Sequence, residues 1–252
     1  MSLSELLSGI VDFLYPERCV NCGAFGMVLC VFCEAGVSPA TEGPRCPMCS
    51  ARWDDAAGGG PGAGPAVALN CPRCLHMDAV ERVHAAVDME GAARRVVHAL
   101  KYRGIERVAP IMARAIAPLT EVHPVDVVFA VPLHRSRQRQ RGFNQSESIL
   151  GSMLQGLGRD RPAGRLLRTK NTNRQVGMHL GERRSNISGA FDYSGPSLAG
   201  QTVGVLDDVV TTGATANECA RVLRDHGARR VIVFAYARAN YNPATPNAPV
   251  FD

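Results

Sequence analysis

Aromatic residues are scarce in this 252-residue chain: one Trp, five Tyr and eight Phe, 6% of the total. Proteins that hold single-stranded nucleic acid by stacking its bases need rows of such rings, so a general stacking platform is not written here; Phe143 and Tyr102 are the nearest candidates. Long hydrophobic runs are missing too. No stretch approaches the ~20 apolar residues of a membrane-spanning helix. The opening segment sets Leu3, Leu6, Leu7, Ile10, Val11 and Leu14 on one helical face but is too short to span and carries Glu5 and Asp12. Interfacial helices favour Lys and Arg on their polar face, so residues 1–15 are expected to form an amphipathic helix that packs on the protein. No secretory signal pattern is visible, and a cytoplasmic location is expected. The net charge is a modest +5, which hides a local asymmetry.

Cysteine, by contrast, is abundant. Eight of nine fall into C-x-x-C pairs: Cys19 and Cys22, Cys30 and Cys33, Cys46 and Cys49, Cys71 and Cys74. Each such knuckle presents two thiolates from one tight turn, and tetrahedral zinc takes four at about 2.3 Å. A disulfide framework is disfavoured where thiols stay reduced. Two structural zinc sites are therefore predicted, most economically Cys19, Cys22, Cys30, Cys33 and Cys46, Cys49, Cys71, Cys74; interleaved pairing stays open. The Gly-rich stretch Ala57 to Gly64 reads as a floppy excursion between the halves of the second site. Cys219 reads as a small buried hydrophobe.

The densest chemistry lies at Val205 to Thr215, V-L-D-D-V-V-T-T-G-A-T. An apolar strand runs into paired carboxylates, then a hydroxyl-and-glycine turn, then a helical pattern from Ala216 to His226. A helix N-terminus offers unpaired N–H groups and about half a positive charge to an anion. Gly213 permits a positive φ and close backbone approach. Thr211, Thr212 and Thr215 can donate to phosphate oxygens beside main-chain N–H groups. Ionised Asp207 and Asp208 only accept, which suits the hydroxyls of a ribose or the water shell of Mg²⁺. A strand ending in ordinary caps is the plainer alternative, but it does not ask for all these elements in one run.

That run resembles the type I phosphoribosyltransferases. The resemblance implies that Asp207 and Asp208 hold the ribose hydroxyls of phosphoribosyl pyrophosphate, while Thr211, Thr212, Gly213, Ala214 and Thr215 form the loop around its 5-prime phosphate, with Val209 and Val210 also among the substrate-binding residues. A second segment narrows the likeness. Asp126 to Leu133 is a short apolar strand that opens into H-R-S-R-Q-R-Q-R-G-F-N-Q, His134 to Gln145. With Lys101-Tyr102 in H-A-L-K-Y-R-G and Arg184-Ser185-Asn186 ahead of Gly189-Ala190-Phe191, the chain resembles the ComF family, which joins a cysteine-rich module to a phosphoribosyltransferase-like domain. In the parent enzymes the loop after the earlier strand contacts pyrophosphate, often through a cis peptide. Arg135 and Arg141 would then neutralise a departing pyrophosphate carried with Mg²⁺. ComF proteins are associated with DNA uptake in natural transformation, so single-stranded DNA and other uptake proteins are implied partners, with a catalytically silent, nucleotide-responsive scaffold as the alternative to transfer. From Arg135 to Arg184 there are twelve Lys and Arg against three Asp and Glu, a field that attracts pyrophosphate, nucleotides or a nucleic-acid backbone; a merely solvated charged face is the ordinary reading of such a run.

The expected organisation is an amphipathic helix over 1–15, a double zinc ribbon over 16–77, an α/β domain over 79–238 with a mostly parallel sheet flanked by helices, and a disordered tail over 240–252. Strands are expected at Val83–Val87 and Val231–Ala235. Helices are expected at Gly91–Lys101, at Val108–Leu119 with an interruption near Pro110, and at Ser146–Leu157. Arg165–Phe191 has poor periodicity and reads as a candidate lid, with Gln175, His179, Arg183 and Arg184 as its residues of interest, or as a hairpin held by surface hydrogen bonds. The acceptor and the oligomeric state are not legible.

Overall fold

The computed structural model describes residues 16–52, 71, 74, 76–170 and 187–239. The expectations for 1–15, the Gly-rich excursion, residues 171–186 of the lid with its four named side chains, and the tail lie outside the described residues. Four strands form one sheet, β1 (Arg82–Asp88), β2 (Val127–Ala130), β5 (Thr202–Val210) and β6 (Arg230–Arg238), in the order β1-β6-β5-β2, with every pairing parallel. β3 (Arg165–Arg168) and β4 (Phe191–Ser194) make a separate antiparallel pair. The two ends of the expected lid are thus ordered strand, where alternation of Leu166 with charged neighbours was too short to read.

Parallel sheets are covered on both faces, and the burial of β6 shows it. Ile232, Phe234 and Tyr236 enter one core; Val231, Val233 and Ala235 enter the other. The first core is closed by α2 (Gly91–Arg103), α3 (Ala109–Val122) and α5 (Gln145–Gly156), through Val96, Met112, Ile116, Ile149 and Met153. The second is closed by α6 (Ala214–Asp225), whose Ala216, Cys219, Ala220 and Leu223 recur at helical spacing, and by the β3–β4 pair. The α/β fold implied by the sequence, a parallel sheet flanked by helices with cysteine sites before it, is the observed one. Three elements differ in detail. Pro110 sits in the first turn of α3, where its missing N–H costs nothing, so it starts that helix and does not interrupt it. The basic stretch Arg135–Arg141 is a short helix, α4, between left-handed Gly142 and the His134 cap, so its alternating arginines lie around a helix and not along a loop. β5 runs on through both aspartates to Val210, and α6 begins at Ala214, two residues earlier than its apolar periodicity suggests.

The cysteine region straddles the sheet. Cys19, Val20 and Leu29 pack into the first core, and Cys46, Cys49, Cys71, Cys74 and Met77 into the second. Between them Ser38–Ala40 runs along β1, with Asp88 N–H donating to the Ser38 carbonyl at 3.0 Å and Ala40 N–H to Ala86 at 2.9 Å. This strip covers an otherwise open sheet edge. The second cysteine knuckle is tied down further by Arg45, which grips the buried Asp88 carboxylate through both terminal nitrogens at 3.0 and 2.7 Å, and by Arg52 at 2.8 Å. The first knuckle, with α1 (Val31–Ala35), turns Phe25, Met27, Val31 and Phe32 outward.

Candidate functional site

The helices that follow neighbouring strands β2 and β5 leave toward opposite faces: α5 packs on the first core and α6 on the second. Such a divergence opens a crevice beyond the carboxyl ends of the two strands, the place where open α/β sheets bind ligands. Asp207 and Asp208 stand there at the end of β5. Across from them Val131 N–H donates to the Leu206 carbonyl at 2.9 Å, extending the β2–β5 ladder to the mouth. Asn144 then turns the chain back, its side-chain amide donating to the Val131 carbonyl at 3.1 Å while its Oδ1 caps α5 at Ser146 N–H, also 3.1 Å. That geometry delivers Ser146, whose hydroxyl donates to Asp207 Oδ1 at 3.1 Å.

The two carboxylates are in different electrostatic states. Asp208 is buried and paired with Lys101 Nζ at 2.8 Å. Lys101 comes from the last turn of α2, which ends at Gly104 in the left-handed region. Asp207 accepts from Ser146 and from the Asp208 N–H at 2.9 Å. Burial, followed by the Asp208 charge, pushes its carboxyl up to about 7, against a smaller opposing pull from Lys101. One acid is thus neutralised by a cation and the other is poised to change protonation near neutrality.

Beyond the acids, Val209 and Val210 remain paired to β6 opposite Ala237 and Arg238. Thr211 is half-exposed, Thr212 is buried with its hydroxyl accepting from Ala214 N–H at 3.3 Å, and Thr215 is half-exposed in the first turn of α6. Gly213 caps the helix at φ 78°. The torsion favours glycine, and a Cβ there would sit 2.6 Å from the Met77 sulfur, so the tip of that side chain would have to move aside. The first N–H groups of α6 have no carbonyl four residues back and face the turn. Thr211 and Thr215 are the more accessible hydroxyls of the turn, whereas Thr212 is buried and accepts from Ala214 N–H.

The basic helix is divided. Arg135 is exposed and Arg141 half-buried, and among the described residues neither bonds Asp207 or Asp208. Burial, then the Arg137 charge, lowers the affinity of Arg168 in β3 for its proton, with the Cys219 and Asp207 charges opposing. Ser146 and the Lys101 pairing are the contacts of the two aspartates that sequence reasoning did not assign. Lys101 lay inside a quoted motif without a role; nothing local to Ser146 says that it meets a residue 61 positions away. Every peptide among the described residues is trans.

The cysteines form two groups in chain order, Cys19, Cys22, Cys30, Cys33 and Cys46, Cys49, Cys71, Cys74, with the sulfurs of each group within 4.8 Å of one another. Interleaving is thereby settled in favour of sequential pairing. Sulfur separations of 3.7 Å (Cys22–Cys30), 3.8 Å (Cys46–Cys74) and 3.9 Å (Cys49–Cys71) match the edge, about 3.8 Å, of a tetrahedron with 2.3 Å zinc–sulfur arms. They are far beyond a disulfide, and all nine cysteines are free. Three donors reach the sulfurs: Asn21 Nδ2 to Cys33 at 3.1 Å, Cys30 N–H to Cys19 at 3.4 Å and Arg238 Nη2 to Cys49 at 3.9 Å, contacts of the kind that orient and charge-balance metal-binding thiolates. The two groups fit two zinc sites. Cys219 is fully buried, and burial raises its thiol well above the ordinary range.

No family model matches the chain. Among curated proteins it is similar to DNA utilization protein YhgH of Salmonella typhimurium, 29% identical over 218 residues that cover 83% of this chain and 90% of that one. It is 33% identical to Competence protein F of Haemophilus influenzae over 45% of this chain and 51% of that one, and 34% identical to Competence protein ComFC of Bacillus subtilis over 40% and 39%. Among solved structures it resembles a Leishmania donovani UMP synthase (18% identity, TM-score 0.32, covering 56% of this chain and 24% of that one). It also resembles a Staphylococcus aureus hypoxanthine phosphoribosyltransferase (13%, TM-score 0.33, 57% and 68%) and the Mycobacterium tuberculosis orotate phosphoribosyltransferase with inorganic phosphate (17%, TM-score 0.31, 64% and 79%). No helix among the described residues is long and apolar enough to cross a membrane.

Proposed function

We propose that this chain, a homologue of the ComF-type proteins, binds phosphoribosyl pyrophosphate or a related nucleotide in the crevice between β2 and β5. The observation that carries the reading is the placement of Asp207 and Asp208 beside Ser146 at that crevice, followed by the left-handed Gly213 and the N-terminus of α6. The amide groups and the hydroxyls of Thr211 and Thr215 take the terminal phosphate, with Val209, Val210 and Ala214 supplying backbone around it, and ionised Asp207 accepts from the ribose diol. Asp208, held by Lys101, positions the pair. Arg135 and Arg141 on α4 provide positive charge for the pyrophosphate end, which brings Mg²⁺ with it as a bridging cation. Transfer to an acceptor follows the same geometry: a fixed sugar and a neutralised leaving group are most of what such a reaction asks of a protein.

Calorimetry with phosphoribosyl pyrophosphate and Mg²⁺ tests the binding. Saturable heat in the wild type, lost in Asp207→Asn, supports it; no heat at millimolar ligand refutes it. Pyrophosphate release across a panel of acceptors separates an enzyme from a silent nucleotide-responsive scaffold. The relatives' names concern competence and DNA utilization, and the exposed Arg135 and Arg139 favour a second role in holding single-stranded DNA. That role requires affinity that falls steeply with salt, with a shallower slope once Arg137 and Arg139 are neutralised.

A further inference from the structure

Arg238, the last residue of β6, is 1% exposed and holds two structures at once. Its Nε donates to the Cys49 carbonyl at 2.8 Å and its Nη2 reaches the Cys49 sulfur at 3.9 Å. Its Nη1 donates to the carbonyls of Val210, at 2.8 Å, and Thr211. A zinc tetrathiolate is a dianion, so a guanidinium against Cys49 is matched in charge to a metal-loaded site and ill matched to four neutral thiols. The same cation fixes the two carbonyls that lead into the turn before α6.

A second tether runs from the other end of the cysteine group. Three residues after Cys74, Met77 fills the space over Gly213. His76 Nε2 lies 2.9 Å from the Thr212 carbonyl. Asn217, in the first turn of α6, donates to the His76 carbonyl at 3.1 Å and to Asp78 at 2.8 Å, and accepts from Ala79 N–H at 3.0 Å. Residues 210–213 and the start of α6 are therefore clamped on two sides by one cysteine group. The other group, Cys19 to Cys33, packs on the opposite core, and among the described residues none of these tethers comes from it.

We infer that the second cysteine site is an effector site for the anion-binding turn, with Arg238 and Met77 as the positioning residues that make zinc occupancy at Cys46, Cys49, Cys71 and Cys74 and the shape of Val210–Gly213 a single equilibrium. Because coupling is reciprocal, loading this site tightens ligand binding at the turn, and ligand at the turn tightens zinc at this site and not at the first. The ligand arm rests on the sugar-phosphate reading given above; the loop arm does not.

Three measurements on the full chain test it. Amide hydrogen exchange at Thr211–Thr215 is expected to accelerate about tenfold or more when the second zinc is withdrawn by a chelator, or in Arg238→Met, with Arg238→Lys between the two. In cadmium-substituted protein, the same variants are expected to move one of two ¹¹³Cd resonances and leave the other in place. Finally, saturating phosphoribosyl pyrophosphate is expected to slow release of one zinc to a chelator by roughly 5-fold or more, within the usual span of coupling, and Met77→Ala is expected to shrink that factor. Exchange at 211–215 indifferent to the second metal overturns the inference, as does slowing of both zincs alike. If exchange responds but the sugar diphosphate neither binds nor slows release, the coupling stands and the proposed ligand falls.

Discussion

Asp207→Asn separates what the acid costs from what it does. Its folded-state carboxyl is pushed up to about 7 from an ordinary 3.8. Below about pH 4 both the folded and the unfolded chain carry the proton and the acid is neutral in stability. As pH rises from there the unfolded chain releases it first, so stability drains away until the folded group also ionises near 7, and the loss is constant above that. The shift of about 3 units corresponds to a ceiling of about 4 kcal/mol, and partial access of water to Asp207 brings the expected figure to about 2 kcal/mol. Asparagine keeps the acceptor that Ser146 and the Asp208 amide use and removes the charge. The variant should therefore melt higher than wild type at pH 8, by about 4–8 °C for a chain of this size, with roughly half that gain at pH 5.5. Melts at fixed zinc and matched pH read the difference directly, since both proteins share the same thiols. A variant no more stable at pH 8, or one whose advantage is flat between 5.5 and 8, refutes the claim that the site holds a destabilising charge. Binding should move the other way: the stabilised variant is the one expected to lose the sugar diphosphate, the usual exchange of stability for function at a strained site.

Elemental analysis is expected to return two zinc per chain, in line with the two groups of four sulfurs; one or none contradicts the assignment. Of the two, the buried second group should be the costlier to break, so Cys46→Ser should unfold at lower denaturant than Cys22→Ser, whose side chain is exposed. Asp88→Ala leaves Arg45, nearly buried, without its carboxylate. A loss of about 3–5 kcal/mol is expected, and a change below about 1 kcal/mol in urea melts would show that this contact does not hold the knuckle to the sheet.

What the sequence made legible follows from the range of each signal. The C-x-x-C knuckles and the V-L-D-D-V-V-T-T-G run are local: a handful of residues close the turn and aim the side chains, so spacing alone reports the geometry. Helix α6 was readable because Ala216, Cys219, Ala220 and Leu223 keep one face inward. Its true start was not, because Gly213 and the Thr212 cap set it by torsion and hydrogen bonding, which periodicity does not record. α4 was missed for a related reason. Its seven residues are all polar and none is buried, so there is no apolar stripe to betray a helix, and its ends are set by the caps at His134 and Gly142.

The contacts that decide the chemistry are the long-range ones. Lys101 reaches Asp208 across 107 positions and Ser146 reaches Asp207 across 61; Arg238 returns 189 positions to Cys49. Each depends on the parallel crossovers that bring β2 and β6 beside β5 and β1 beside β6, and each joins a residue that reads as ordinary in its own neighbourhood. A buried arginine at a strand end would pass as a salt-bridge partner, yet its donors are shared between Cys49 and the carbonyls of the turn before α6. The cysteine region is therefore not a tag attached to an α/β domain: with one group in each core and a strip along the β1 edge between them, its metal chemistry and the crevice of the sheet form one folded unit.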